Sequence, residues 1–201
     1  QRGFDRDYGV LDAFTNLHHP HRLIEDNHAV RTDEYPEGYY ATDDLTDRAI
    51  GMLQGSKASN PAKPFFLYFS HGSVHAPLHA KAADIEAMRG RYDAGWDVLR
   101  KERFARMQAM GLVDEGITLP PRNAEPGQEV APWESLSGDE QRLFARYMEV
   151  YAAMVKSLDD SFGALRAALE ELGEWDNTIV MFSSDNGPEW TATKAGPMKR
   201  D

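Results

Sequence analysis

Cysteine is absent from the 201 residues. That excludes disulfides, thiolate zinc sites and a cysteine nucleophile within this segment. Long apolar runs are missing too. No 18 consecutive residues are apolar, so no membrane-spanning helix is expected. Cations are scarce: Lys and Arg total 22 against 33 Asp and Glu, a net charge of −11. A broad nucleic-acid footprint needs clustered cations and is not expected. A small anionic substrate stays open, because a metal and a few cations reverse the field locally. No basic and apolar leader opens the chain, so nothing marks it for secretion. Neither end carries a starting or closing element, and the expectation is a piece truncated at both ends.

What is present describes one globular domain, with 41% hydrophobic and 27% charged residues. Thr178-Ile179-Val180-Met181 is a short β-branched and apolar run that reads as a buried strand. It runs into Phe182-Ser183-Ser184-Asp185-Asn186-Gly187, where an acid and an amide stand together before a glycine. In open α/β sheets ligands collect where loops leave the carboxyl ends of strands. There the oxygens of Asp185 and Asn186 suit a hard cation such as calcium. An Asx-type turn accounts for the same three residues equally simply.

A second strand is expected at Phe65-Phe66-Leu67-Tyr68-Phe69, ending in Ser70-His71-Gly72-Ser73-Val74-His75-Ala76-Pro77-Leu78-His79. Each strand follows a helix, the alternation of a parallel sheet. Thr42 is the expected N-cap of the first helix, with Asp43 and Asp44 at the positive end of its dipole. Helices are also expected at 81–88 and 94–110, with a loop-rich surface excursion over 111–134. Ser137-Gly138-Asp139-Glu140 is a capping box. From it Leu143, Tyr147, Tyr151, Met154, Leu158, Phe162, Leu165, Leu169 and Leu172 recur every three or four residues, predicting a long helix ended by Gly173. A bend is expected near Gly163.

Among the histidines, His71, His75 and His79 have the i, i+4, i+8 spacing that would align zinc ligands on a helix. Gly72 and Pro77 interrupt any such helix. One imidazole in a rigid strand-end loop fits contact with an oxyanion, or general-acid work, better, and His75 is the choice, with a purely structural histidine equally open from the residues alone. His18, His19 and His21 around Pro20 read as a surface cluster rather than a metal site. Ser59-Asn60-Pro61-Ala62-Lys63 superficially matches a modified-serine nucleophile pattern. With Pro64 and a strand directly after it, a linker is expected there.

These segments together resemble the type I sulfatases of the alkaline phosphatase-like superfamily. Arg2-Gly3-Phe4-Asp5-Arg6 with Tyr8-Gly9 is similar to the stretch after the family's Gly-Lys-Trp-His-Leu-Gly motif. Residues 64–69 with His75-Ala76-Pro77 resemble its strand and substrate-contacting histidine. Tyr92-Asp93-Ala94-Gly95-Trp96-Asp97 with Arg103-Phe104-Ala105-Arg106 resembles an insertion of bacterial arylsulfatases, and residues 172–187 its metal-binding strand. The resemblance implies an α/β fold: part of a mixed, largely parallel sheet flanked by helices, truncated at both ends. Residues 1–201 would be the central portion of one catalytic domain, with a helical and loop insertion at about 81–134. Asp185 and Asn186 would be two of four protein ligands of Ca2+, and His75 would bind the substrate sulfate and protonate the leaving alcohol.

The reaction so implied is hydrolysis of a sulfate monoester, on a small molecule or a glycan, to alcohol and sulfate. Its formylglycine nucleophile belongs to a Cys/Ser-x-Pro-x-Arg motif that residues 1–201 lack. The isolated chain is therefore expected to be inactive and to depend on the rest of the sulfatase chain. The family's lysine after Asp-Asn has only Lys199 as a weak stand-in. One alternative is a phosphonate or phosphate ester hydrolase of the same superfamily, against which Asn186 speaks. Another is a non-catalytic binding protein using Trp96, Trp133 and Trp190 to hold a partner.

Overall fold

The computed structural model describes residues 3–11, 15–31, 34–122 and 129–184. Asp185, Asn186, Trp190 and Lys199 lie outside them. Three short strands form an antiparallel meander: β1 (Tyr8–Val10), β2 (Leu23–Glu25) and β3 (His28–Ala29). Asp26 and Asn27 join β2 to β3 with φ of 48° and 66°. A two-residue hairpin favours positive φ at both central positions, and Asp and Asn tolerate it. Four α-helices follow: α1 (Ala41–Ser59), α2 (Ala82–Ala87), α3 (Gly95–Ala109) and α4 (Gly138–Glu171).

The long helix starts and stops as its sequence dictates. Ser137 accepts from the Glu140 backbone while the Glu140 carboxylate accepts from Ser137, the reciprocal capping box. At the other end Gly173 takes φ of 70°, and Glu174 N–H reaches the Leu169 carbonyl at 2.9 Å. That bond, with Gly173 N–H to the Glu170 carbonyl, is the Schellman arrangement. The helix runs unbroken through the expected bend at Gly163. The N-cap of α1 is Tyr40, not Thr42, and no side chain caps it. Thr42 is the second residue of the helix, buried beside the Ser73 hydroxyl at 3.2 Å. Its hydroxyl was drawn to the core rather than to the helix end.

The buried face of α4 also differs from the large-residue stripe. Ala145, Glu149, Ala153, Met154, Ser157, Ser161, Ala168 and Leu169 are buried, whereas Leu143 and Phe162 are exposed. The cause is close approach to α1 and α2, which small side chains permit. Thr46 on α1 and Ser161 on α4 share a hydrogen bond of 2.6 Å. Around this contact Leu17, Tyr40, Ala41, Ala80, Ala153 and Met154 form the main core.

Beneath the 111–134 excursion lies a second core of Trp133, Leu136 and Ala145. Trp96 meets Trp133 edge-on at 4.8 Å and donates its indole N–H to the Ala131 carbonyl. Trp133 is therefore core, and the expectation of these two tryptophans as a docking surface is corrected: they hold their own excursion down.

The two strands expected at 65–69 and 178–181 are extended but enter no sheet among the described residues. Exposure alternates along the first, with Phe66 and Tyr68 outward, and Ile179 and Met181 are 91% exposed. A strand needs a neighbour to pair its backbone groups. The described residues supply none, and the only pairing among them is the antiparallel meander.

Candidate active site

The extended segment 65–69 leads the chain along one wall of a cleft of about 820 Å³, within the range of small-molecule sites. The opposite walls are the N-terminal segment with Phe4 and Tyr8 and the Leu45 and Ala49 side of α1. At the segment's end the chain turns, and His75 N–H bonds to the Gly72 carbonyl at 3.1 Å. This turn brings both His71 and His75 to the cleft.

His75 is exposed, and its Nδ1 lies 2.7 Å from the carbonyl of its own neighbour, Ala76. A carbonyl can only accept, so Nδ1 carries the proton in this contact. An imidazole oriented in this way at a cleft can donate to an oxyanion when charged. His71 differs in kind. Burial holds its pKa below the ordinary histidine value, so the ring is neutral. Its Nδ1 is buried with no hydrogen-bond partner among the described residues, and the ring tilts onto Phe69 at 4.1 Å. Sequence reasoning passed over His71; its place directly after an apolar run was the available signal.

His79 does not continue the series. Its Nδ1 accepts from Leu17 N–H at 3.3 Å, and its ring stands 6.1 Å from that of His18. Burial, then the nearby His18, lowers its pKa. The chain from 71 to 79 is not helical, so the three imidazoles are not aligned. Among the described residues no group of three His, Asp or Glu side chains could hold a metal ion. Ser59 is equally remote from catalysis: it is exposed at the end of α1 and donates to the Gly55 carbonyl.

A carboxylate beside the cleft binds two phenols. Asp44 Oδ2 accepts from Tyr8 at 2.6 Å and from Tyr39 at 2.8 Å. Burial first, then these bonds, raise both tyrosine pKa values well above the ordinary phenol value. Arg48 lies over the Tyr8 ring at 4.7 Å and reaches Glu25 at 3.4 Å. The network ties the meander to α1 and so fixes one cleft wall.

Comparison with known proteins places this arrangement. The Sulfatase family model matches residues 1–201. An uncharacterized sulfatase of Schizosaccharomyces pombe is 35% identical over 176 residues, covering 88% of this chain and 31% of its own. An arylsulfatase of Klebsiella aerogenes is 28% identical, over 92% of this chain and 40% of its own. A multifunctional alkaline phosphatase superfamily protein of Trinickia caryophylli is 26% identical, over 83% and 32%. The chain thus spans about a third of the length of these relatives. With a match along its whole length, it belongs to the sulfatase family of hydrolases, whose fold is the alkaline phosphatase-like α/β type.

Proposed function

We propose that residues 1–201 are the central portion of a sulfatase catalytic domain that hydrolyses a sulfate monoester to alcohol and sulfate, with 81–134 as an insertion. The family match along the whole chain carries this reading. The nucleophile is a formylglycine lying outside these residues, so the isolated chain is inactive. Overall the ester and water give the alcohol and hydrogen sulfate, and the alkoxide leaving sulfur needs a proton. His75 supplies it. As imidazolium its Nε2 first donates to a sulfate oxygen or to the bridging oxygen, then gives up the proton as the bond to sulfur breaks. Its Nδ1–H contact with Ala76 keeps the ring oriented throughout.

Asp185 and Asn186 would hold a calcium ion. Their donors are a carboxylate and an amide oxygen, the set a hard cation takes. When bound, the ion neutralises charge on the sulfate oxygens. The segments 65–69 and 178–181 are the strands of a largely parallel sheet in the complete domain. Their exposed apolar side chains support that, as does the open Met148, Val155 and Phe162 side of α4. Each leaves apolar surface that a packed layer would cover.

The test is turnover of 4-nitrophenyl sulfate by the complete protein and by residues 1–201. The expected result is release of nitrophenol by the first and none above a buffer blank by the second. Turnover by the isolated chain would overturn the dependence on an external nucleophile. The complete protein hydrolysing a phosphonate or phosphate diester in preference to the sulfate, with two zinc or manganese ions per chain, would establish the other superfamily chemistry instead.

A further inference from the structure

Hydrogen bonds to the start of α1 and to Leu17 hold the turn that carries His75. The Ser73 and Thr42 hydroxyls lie 3.2 Å apart, and the Tyr40 phenol donates to the His79 carbonyl at 2.9 Å. The His79 ring makes a further tie, its Nδ1 taking the Leu17 N–H at 3.3 Å. Between these ties Val74 and Leu78 pack against the main core. We propose that His79 is the positioning residue of the His75 turn, and that acid releases the turn by breaking the bond from Leu17. The proposal rests on the assignment of His75 to the leaving alcohol.

The donor fixes the proton. A backbone N–H only donates, so Nδ1 of His79 presents its lone pair and the neutral ring carries its hydrogen on Nε2. A proton added at Nδ1 sets two N–H donors face to face, and the bond breaks. Leu17 does not follow the ring. Its carbonyl accepts the Ala41 N–H at 2.7 Å, and its side chain is buried in the main core. The break therefore falls between Leu17 and the turn. The other ties do not titrate near neutrality: hydroxyls of serine and threonine stay protonated, and burial holds the Tyr40 phenol above the ordinary tyrosine value.

The surroundings of the ring favour its neutral form at neutral pH. His18 faces it at 6.1 Å from the segment before α1. With Nδ1–H of His18 bound to the Tyr39 carbonyl, any further proton enters at Nε2 and repels a charged His79. Lys81 stands two residues along, its charge taken up by Asp43 at 2.9 Å on α1 and Asp84 at 3.7 Å on α2. From α4 the core contributes Ala153 and Met154, which carry no charge. No carboxylate among the described residues pairs with the imidazole. Burial first, then His18, hold its pKa below the ordinary histidine value. A lowered folded value keeps the bond intact at neutral pH. It is lost as pH falls from the ordinary histidine value through the folded one.

Two measurements on the complete protein from about pH 7.5 to 5 test the proposal: kcat/KM for phenyl sulfate, and amide hydrogen exchange. Phenol leaves less readily than nitrophenol, so its ester reports the proton from His75. His79→Ala should lower kcat/KM at neutral pH about three- to tenfold, the contribution of one hydrogen bond. His79→Asn keeps an acceptor near the Nδ1 position and does not titrate. It should restore most of that loss and hold kcat/KM up in acid, where the wild type declines. Exchange needs no variant: corrected for its intrinsic pH dependence, protection of the Leu17 amide should fall in acid. Protection of the His75 amide, bonded to the Gly72 carbonyl, should fall with it. An acid limb that is the same in wild type and His79→Asn overturns the proposal, as does Leu17 protection that does not move with pH. Loss at Leu17 without loss at His75 overturns it too, because the bond then titrates without holding the turn. If no sulfate ester is turned over, the assigned reaction fails, and the two amides still decide whether His79 holds the turn.

Discussion

The Trp133 indole lies directly on Gly95, where α3 begins. A Cβ built on Gly95 would stand 2.2 Å from Trp133 Cγ, and Gly95 holds φ of 77°. Glycine is required there twice over, by the ring and by the left-handed backbone. Gly95→Ala should cost the complete protein about 2–4 kcal/mol, combining overpacking with strain. In a Trp133→Ala background, which removes the ring atoms that the new Cβ would meet, Gly95→Ala should cost less than it does with the indole in place. Denaturant unfolding of these variants checks this; an unchanged midpoint for Gly95→Ala would mean the indole does not rest there.

Asp84 joins α2 to α4. It is 7% exposed, lies 2.9 Å from the Lys156 ammonium and accepts from the Ser157 hydroxyl at 3.0 Å. Burial pushes its pKa up, but the bonds from Lys156 and Ser157 and the charges of Lys156 and Lys81 outweigh it, leaving the value below that of a free carboxylate. A lowered folded value means stability that is present above the ordinary aspartate range and lost as pH falls through the folded value. Asp84→Asn should therefore flatten the acid limb of stability below about pH 4. Asp84→Ala should cost about 1–3 kcal/mol at neutral pH. Thermal melts from pH 7 down to 3 read both effects; parallel curves for wild type and Asp84→Asn would remove Asp84 as a source of acid sensitivity.

The paired phenols act at the other end of the scale. Because Tyr8 and Tyr39 ionise at higher pH when folded, they add stability below the ordinary tyrosine value, and it is lost as pH rises beyond it toward the folded values. Tyr8→Phe and Tyr39→Phe should each cost about 1 kcal/mol and soften alkaline unfolding above about pH 10. The double variant should cost more than the two together, since Asp44 then loses its last phenol donor. A double-mutant cycle from thermal melts at pH 7 checks the coupling, and strict additivity would contradict it.

Local signals in the sequence were legible where they were self-contained. Ser137 with Glu140, and Gly173, set both ends of α4 because caps need only residues within a turn. Thr42 failed as a cap because a partner at Ser73 took its hydroxyl, which no local pattern reveals. The apolar periodicity of α4 named the large residues, while the contact with α1 chose the small ones, and residues such as Ser161 carry no hydrophobic signal. At the candidate site the sequence put His75 in the loop after the apolar run 65–69, and the fold brings that loop to the cleft. The orphaned nitrogen of His71 and the convergence of Tyr8 and Tyr39 on Asp44 come from chain segments far apart in sequence.

The contrast between His75 and His71 gives the sharpest test of the catalytic assignment. His75 is exposed, so its removal should cost little stability. His75→Ala in the complete protein should lower kcat/KM for an aryl sulfate by about 10²–10⁴-fold, the range for a lost general acid. The loss should shrink with 4-nitrophenyl sulfate, whose leaving group needs little protonation, and grow with an alkyl sulfate. His71→Asn keeps a polar atom near the Nδ1 position and His71→Gln moves it, so any role in positioning the turn should separate these two in KM. Both should leave the leaving-group dependence of kcat intact. If His75→Ala shows the same loss for every leaving group, the imidazole binds sulfate without supplying the proton. If it shows no loss at all, His75 is not at the reacting centre.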